Sequence, residues 1–270
     1  MDSSFKNETL SKHKTTRFPA SRIASIDVCD IGKQKHHVSA MIELDVTESR
    51  EKLRRHKINK NRISFTAWLI KVISLTIKEH QMIAAFLKEN RRAVVFEDVN
   101  VSLLVEKEIN GSKVPMPMII EKAHETPMDS ITRMIADARQ QKLEEKDIVL
   151  QKSSGKWERI YYHLPGFLRR QVWKFMLRHP RLVFNKMGNV AITSIGMMGN
   201  VKGWFIPISI HPVCFGISTI TKKPLVINNQ IVIREVLSMT ILMDHDVIDG
   251  ALMARFISDL TKNIENGKEL

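Results

Sequence analysis

The chain has 270 residues, 43% of them hydrophobic and 26% charged, and a formal net charge of +13. That length suits one large domain or two small ones with a proper core, and the composition is that of a soluble globular protein. The positive balance points to a partner that carries negative charge (nucleic acid, an anionic membrane surface or a small phosphorylated ligand) and does not choose among them.

In chain order, residues 1–16 read as a flexible basic tail, and without an apolar core they are no signal peptide. Residues 17–28 are mixed, with Ile23, Ile26 and Val28 compatible with a strand or a short helix. Residues 36–46 alternate, so that Val38, Ala40, Ile42, Leu44 and Val46 share one face of a half-buried strand. Thr47 is placed to cap a short charged helix over 48–56. Ser64 caps a strong helix reaching about His80, with Leu69, Ile70, Ile73 and Ile77 apolar. The apolar stretch 63–77 is broken by Lys71 and is too short to span a bilayer.

Residues 82–87 continue irregularly, and strands follow at 93–96 and 99–106. Asn110-Gly111 marks a hairpin because that pair tolerates the positive φ of a tight turn, and 114–120 returns as the partner strand. A second long helix covers 128–143, with Ile131, Met134, Ile135 and Ala138 as its buried stripe. Residues 146–186 break the rhythm with a basic helix between Pro165 and Pro180 that carries Trp173 and Phe175. After it the chain is mostly β, at 189–193, 204–208, 213–220 and 231–243, with Asn228-Asn229 as a turn. A helix from Gly250 to about Ile264 closes the chain, with Leu252, Phe256 and Leu260 on one face and Asp249 as its N-cap.

These blocks predict an α+β fold, a mixed β-sheet covered by helices on one face, with 146–186 inserted within one domain. Cys29 and Cys214 lie far apart and outside any CxxC, and read as free thiols of a reducing cytoplasm. No His-x3-His cluster is present, so no metal is expected. His36 and His37 are neighbours on a strand, point to opposite faces and do not chelate together. His211-Pro212 reads as a turn. There is no internal repeat, GxGxxG or P-loop.

The sharpest feature is the apolar run 238–243 that ends in Asp244-His245, with Asp249-Gly250 four residues on. A histidine where a strand stops is a reasonable place for acid–base chemistry, but alone it is more often structural. Three stretches in register change that balance. Asp244-His245-x-Val247-Ile248-Asp249-Gly250 resembles the DHRxxDG box of the acyltransferase components of 2-oxo acid dehydrogenase complexes, a box shared in its HxxxDG part with chloramphenicol acetyltransferase. Thr193-Ser194-Ile195-Gly196-Met197-Met198-Gly199, 52 residues before His245, resembles the [ST]-[SN]-[LI]-G-x-x-G segment of that family. Residues 37–46 with Thr47, then 60–79, are similar to its strand–DVT–helix opening, and 98–118 to its VNIGIAV…GLVVPV hairpin. The resemblance covers roughly 38–260 apart from the insertion.

The resemblance implies a chloramphenicol-acetyltransferase-like fold and a homotrimer with active sites between subunits. It also implies transfer of an acyl group between coenzyme A and a thiol or hydroxyl acceptor. His245 would be the general base: a thiol with an ordinary pKa near ~8.5 is mostly protonated at neutral pH, and a neutral imidazole accepts its proton as the bond forms. Thr193 falls at the hydroxyl position that stabilises the tetrahedral oxyanion, with Ser194 as the fallback. Asp249 falls on a carboxylate that holds the site together, usually by pairing with an arginine, for which Arg17 and Arg22 are candidates. Gly196 and Gly250 support the turns, and Gly196 with Gly199 would permit close backbone approach.

The sequence departs from the family pattern in three respects. It contains no lipoyl or peripheral-subunit-binding domain, Asp246 stands where an arginine usually follows the histidine, and the insertion is additional. The expected division is therefore a tail over 1–16 and a catalytic domain over 17–270, a stand-alone relative with a changed acyl group or acceptor. Three roles are open for the basic segment 165–181: a solvated helix docked on the core by Trp173 and Phe175, a site for coenzyme phosphates or an acidic carrier protein, or contact with an anionic membrane surface. Nucleic acid is not expected, with no recognised motif and few aromatics. The alternative to an enzyme is a trimeric scaffold that keeps the fold and has lost efficient chemistry.

Overall fold

Two long strands dominate the molecule, β7 (Val213–Ile227) and β8 (Gln230–Asp244), joined by a two-residue turn in which Asn228 and Asn229 take φ of 51° and 61°. Both turn residues adopt the left-handed conformation that asparagine tolerates and that matches strand twist in a tight hairpin. In this computed structural model the described residues are 13–15, 20–58, 63–89, 91–109, 112–140, 161, 163–196, 199 and 201–270.

The remaining strands are β1 (His37–Asp45), β2 (Phe86–Lys88), β3 (Arg92–Val94), β4 (Val101–Ile109), β5 (Ser112–Ile120) and β6 (Val190–Ser194). Six of them form one mixed sheet in the order β1-β8-β7-β6-β4-β5, while β2 and β3 make a separate short ribbon. Strands β4, β6 and β7 run parallel, and β1–β8, β7–β8 and β4–β5 pair antiparallel. Ile109 pairs with Ser112, so the register of β4 and β5 is that of the expected hairpin, although Asn110 and Gly111 lie outside the described residues.

Period-two alternation places one side of each strand in a common core: Leu237, Met239, Ile241 and Met243 of β8, Val213, Phe215 and Ile217 of β7, Val101, Leu103 and Val105 of β4. Against them pack α3 (Phe65–Glu79), α4 (Met128–Gln140) and α7 (Gly250–Glu265). Ser64 caps α3 by accepting the Ala67 N–H at 3.1 Å, as its position foretold. Lys71, which interrupts the apolar run, is buried with its ammonium donating to the carbonyls of His124 (2.6 Å) and Thr126 (3.1 Å), and burial lowers its pKa. Trp68 and Phe256, fully buried, each contribute about 1.5–3 kcal/mol through apolar burial.

Of the strand or short helix left open around Ile23, Ile26 and Val28, the helix is the one formed, α1 (Ala20–Gly32), with Ile26 exposed. Other local expectations are corrected. Thr47 is the first residue of α2 (Thr47–Ile58) and no cap; Asp45 accepts both its N–H and its hydroxyl. Met134 faces out from α4, leaving Ile131, Ile135 and Ala138 buried. Residues 204–208 form no strand: Pro207 lacks the N–H a ladder needs, and the segment lies across β7, where Phe205 and Pro207 come within 3.2–3.3 Å of a Cβ on Gly216.

Among its described residues the insertion includes the helices α5 (Gly166–Leu177) and α6 (Pro180–Met187). It is locked to α1 by Asp27, only 1% exposed, which accepts from Arg169 Nε at 2.6 Å and from the Tyr161 hydroxyl at 2.7 Å. Trp173 Nε1 donates to that hydroxyl at 2.8 Å, and burial raises the pKa of Tyr161. Phe175, expected to dock the helix, is exposed instead and packs on His179. No residue of α5 is fully buried. Among the described residues no helix is long and apolar enough to cross a membrane.

Candidate active site

The end of β8 is wound around one buried carboxylate. Asp244 receives an ion pair from Lys35 at 2.6 Å, its backbone N–H donates to the Pro212 carbonyl, and its own carbonyl accepts the N–H groups of Val247 and Ile248. Its side chain also accepts from the Asp246 N–H at 3.3 Å. These bonds close a turn with His245 at its crest. The His245 N–H is held by the His36 carbonyl at 3.0 Å and the ring is left exposed. Buried Ile248 anchors the far side of the turn, and Asp249 then caps α7 by accepting the Leu252 N–H at 2.9 Å.

Asp246 turns away from the histidine it follows and meets His36 Nδ1 at 2.9 Å on the surface. His36 and His37 part as expected, since His37 Nε2 lies 2.9 Å from the His211 carbonyl, a bond that the ring donates. Burial lowers the pKa of His37 and pulls that of His211 down to about 4. His211 is thus more than a turn residue: it is buried, with its ring between the Ser209 hydroxyl and the Met187 carbonyl, both at 3.1 Å. Cys214 is a free thiol that burial pushes up to about 12, too high to act as a nucleophile near neutral pH.

Thr193 stands half-buried on β6, on the sheet face opposite the helices, and Ser194 is buried toward the other face. A Cβ on Gly196 would come within 2.6 Å of the Ser218 carbonyl, so this turn needs glycine. Gly199 and Gly250 meet no such obstacle. Met197 and Met198 lie outside the described residues.

One chain does not bring Thr193 to His245. Thr193 pairs with Gly216, which pairs with Thr240, five residues short of His245. Two strand spacings sideways and five residues lengthwise separate the side chains by about 20 Å, where a shared reaction centre needs roughly 3 Å. Asp249 meets the Leu252 N–H, and Arg17, one of its two candidate arginine partners, lies outside the described residues.

Two features had no signal in the sequence. Lys35 and Asp244 are 209 positions apart and meet only through the β1–β8 register. Asp98, His124 and Glu125 bring ligand atoms within 4.8 Å of one another. However, His124 Nδ1 accepts the Val99 N–H at 3.4 Å, which leaves the hydrogen on Nε2, an atom 3.5 Å from Glu125 and 4.0 Å from Asp98 that makes no hydrogen bond among the described residues.

The sequence profile of 2-oxoacid dehydrogenases acyltransferase (catalytic domain) matches residues 15–151 and 184–270. The chain belongs to this acyltransferase family. Residues 152–183 fall between the matched segments, so most of the insertion is its own. Among curated relatives, the dihydrolipoyllysine-residue acetyltransferase component of the pyruvate dehydrogenase complex of Rickettsia prowazekii is 36% identical over 80 residues, 29% of this chain and 19% of that protein. The component of the same name from Buchnera aphidicola is 24% identical over 97% of this chain, which spans 59% of that relative. Among solved structures, dihydrolipoamide acetyltransferase of Azotobacter vinelandii aligns over 94% of this chain and 92% of its own, with a TM-score of 0.69 at 16% identity. A probable dihydrolipoamide acetyltransferase of Listeria monocytogenes aligns over 95% and 96%, with a TM-score of 0.68 at 18% identity. The α+β acyltransferase fold expected from the motifs is therefore the fold of the family.

Proposed function

We propose that this chain is a coenzyme-A-dependent acyltransferase whose reaction centre forms between copies of the chain. The observation that carries this reading is His245, set on a rigid turn at the exposed end of β8 in an acyltransferase fold, with Thr193 about 20 Å away in the same chain. A site using both must take them from two copies. Support also comes from the Azotobacter structure, which was determined to examine a serine, a histidine and an asparagine in that enzyme's catalytic mechanism. Those residues lie 52 and four positions apart, the separations of Thr193, His245 and Asp249 here.

In this reading the His245 imidazole takes the proton of the acceptor thiol or hydroxyl as its sulfur or oxygen attacks the thioester carbonyl. The carbonyl electrons move onto oxygen, and the hydroxyl of Thr193 from a second copy donates a hydrogen bond to that oxyanion. Collapse breaks the carbon–sulfur bond to coenzyme A, and the departing thiolate recovers the proton from His245. Asp249 holds the turn by capping α7 and moves no proton.

The arm formed by the outer halves of β7 and β8 favours assembly. Its Val226, Ile231 and Ile233 are 73%, 79% and 71% exposed, an apolar surface that a neighbouring copy would cover. A homotrimer is the assembly proposed.

The test is acyl transfer between acetyl-, branched-chain or long-chain acyl-coenzyme A and dihydrolipoamide. His245→Ala is expected to lower turnover by about 10²–10⁴ and Thr193→Ala by about 10²–10³, with circular dichroism and oligomer mass unchanged. Turnover that survives His245→Ala would overturn the mechanism.

A further inference from the structure

A cleft of about 1290 Å³ opens between the end of α1, the β2–β3 ribbon and the α5–α6 junction. It is larger than a single phosphate needs. Its lining carries five cations, Lys35, Lys88, Lys174, Arg178 and Arg181, against one carboxylate, Glu89.

Two of these charges are answered. Lys35 pairs with Asp244, and Lys88 lies 3.8 Å from Glu89. Lys174, Arg178 and Arg181 have no acidic partner among the described residues. Lys174 in the last turn of α5 and Arg178 at its C-cap stand one helical turn apart, within reach of a common anion, and Arg181 joins them across the turn into α6. Three unanswered cations held together repel one another, a cost that an anionic ligand removes. Guanidinium groups suit phosphate because two of their N–H groups match two of its oxygens.

The wall that bears them is fixed in advance. The buried Asp27–Arg169 pair and the Tyr161–Trp173 bonds lock α5 to α1, so a ligand meets an ordered surface. The cleft also shares a residue with the contacts that hold the His245 turn. Lys35 lines it and grips Asp244, while the next residue, His36, holds the His245 N–H. Lys174, Arg178 and Arg181 all lie within the segment that the family profile does not match.

We infer that the insertion supplies a phosphate-binding cleft, built by Lys174, Arg178 and Arg181, that holds the phosphate end of the acyl donor while its thioester lies at His245. The identity of the donor as coenzyme A rests on the proposed function; the cleft's preference for organic phosphates does not.

Calorimetric titration of the full chain with coenzyme A, adenosine 3′,5′-bisphosphate and pantetheine tests it. The combined variant Lys174→Gln, Arg178→Gln, Arg181→Gln replaces exposed side chains and is expected to keep its melting temperature. It should bind coenzyme A and the bisphosphate about ten- to a hundredfold more weakly, with a smaller loss of affinity on adding salt. Pantetheine binding should not change, nor should coenzyme affinity when Arg55, Arg133 and Lys262, exposed cations elsewhere, are replaced together. Unchanged coenzyme affinity in the cleft variant, with transfer intact, would overturn the cleft and leave the acyltransferase reading standing. Bisphosphate binding that the variant loses, without acyl transfer from any thioester, would support the cleft and sink that reading. Binding of none of the probes would overturn both.

Discussion

His211 illustrates how single side chains tie the insertion to the sheet. As a neutral ring it donates from Nε2 to the Met187 carbonyl at the end of α6 and accepts at Nδ1 from the Ser209 hydroxyl. Burial penalises the charged ring, and Lys35 and His37 oppose it further, so its pKa falls to about 4. The folded-state value is depressed, so its contribution is complete above the unfolded value near 6.5 and is lost as pH falls from there toward 4. Unfolding free energy should drop over that window by on the order of 3 kcal/mol from this group. Urea titrations at pH 7 and pH 4.5 should show a larger fall for the native chain than for His211→Gln. Equal falls would mean that His211 does not couple folding to pH. At this scale the candidate catalytic residues were legible, because His245, Asp249 and Gly250 form a contiguous pattern and Thr193 lies at a fixed distance from it. What holds them was not legible. Lys35 and His36 reach the turn through tertiary register, and His211 looked like any residue before a proline.

Among the elements, the strands of the sheet core were readable by alternation and the long helices by their apolar stripes and caps. Misreadings arose where packing overrode local pattern. Residues 204–208 have a strand's composition yet lie across β7 with Pro207 in contact, and Met134 shares the apolar stripe of α4 yet faces outward. The outer halves of β7 and β8 leave apolar residues exposed, and the proposed assembly would cover them with a neighbouring copy. Ile231→Asp with Ile233→Asp is accordingly expected to release monomers that keep their secondary structure, read by light scattering and circular dichroism. A variant that stays fully assembled would remove this arm from the interface. The α1–α5 lock behaves differently, since Asp27→Ala strands Arg169 in a half-closed site. That change should cost about 3–5 kcal/mol of docking and expose α5 to proteolysis, whereas an unchanged cleavage rate would show that the insertion is held by other contacts.

For the molecule as a whole, the proposed reaction centre and the proposed assembly surface fall on the same strand pair. β8 ends in the His245 turn at one extremity and begins in the apolar arm at the other, and β7 carries Gly216 beside Thr193. The fold class and the family were recoverable from the order of short motifs, because those motifs mark the strand ends and turns that this sheet requires. The basic cleft was not, because its walls come from α1, a short ribbon and an insertion far apart in sequence. The central claim is that His245 and Thr193 act together across two chains. Co-expressing the His245→Ala and Thr193→Ala chains, and assaying acyl transfer by the mixed oligomers, tests it most directly. Each variant alone should be nearly inactive, while random mixing should restore up to about a quarter of native activity, since each site needs one intact residue from each of two chains. Mixed oligomers, confirmed by mass, that remain as inactive as their parents would contradict a site shared between subunits.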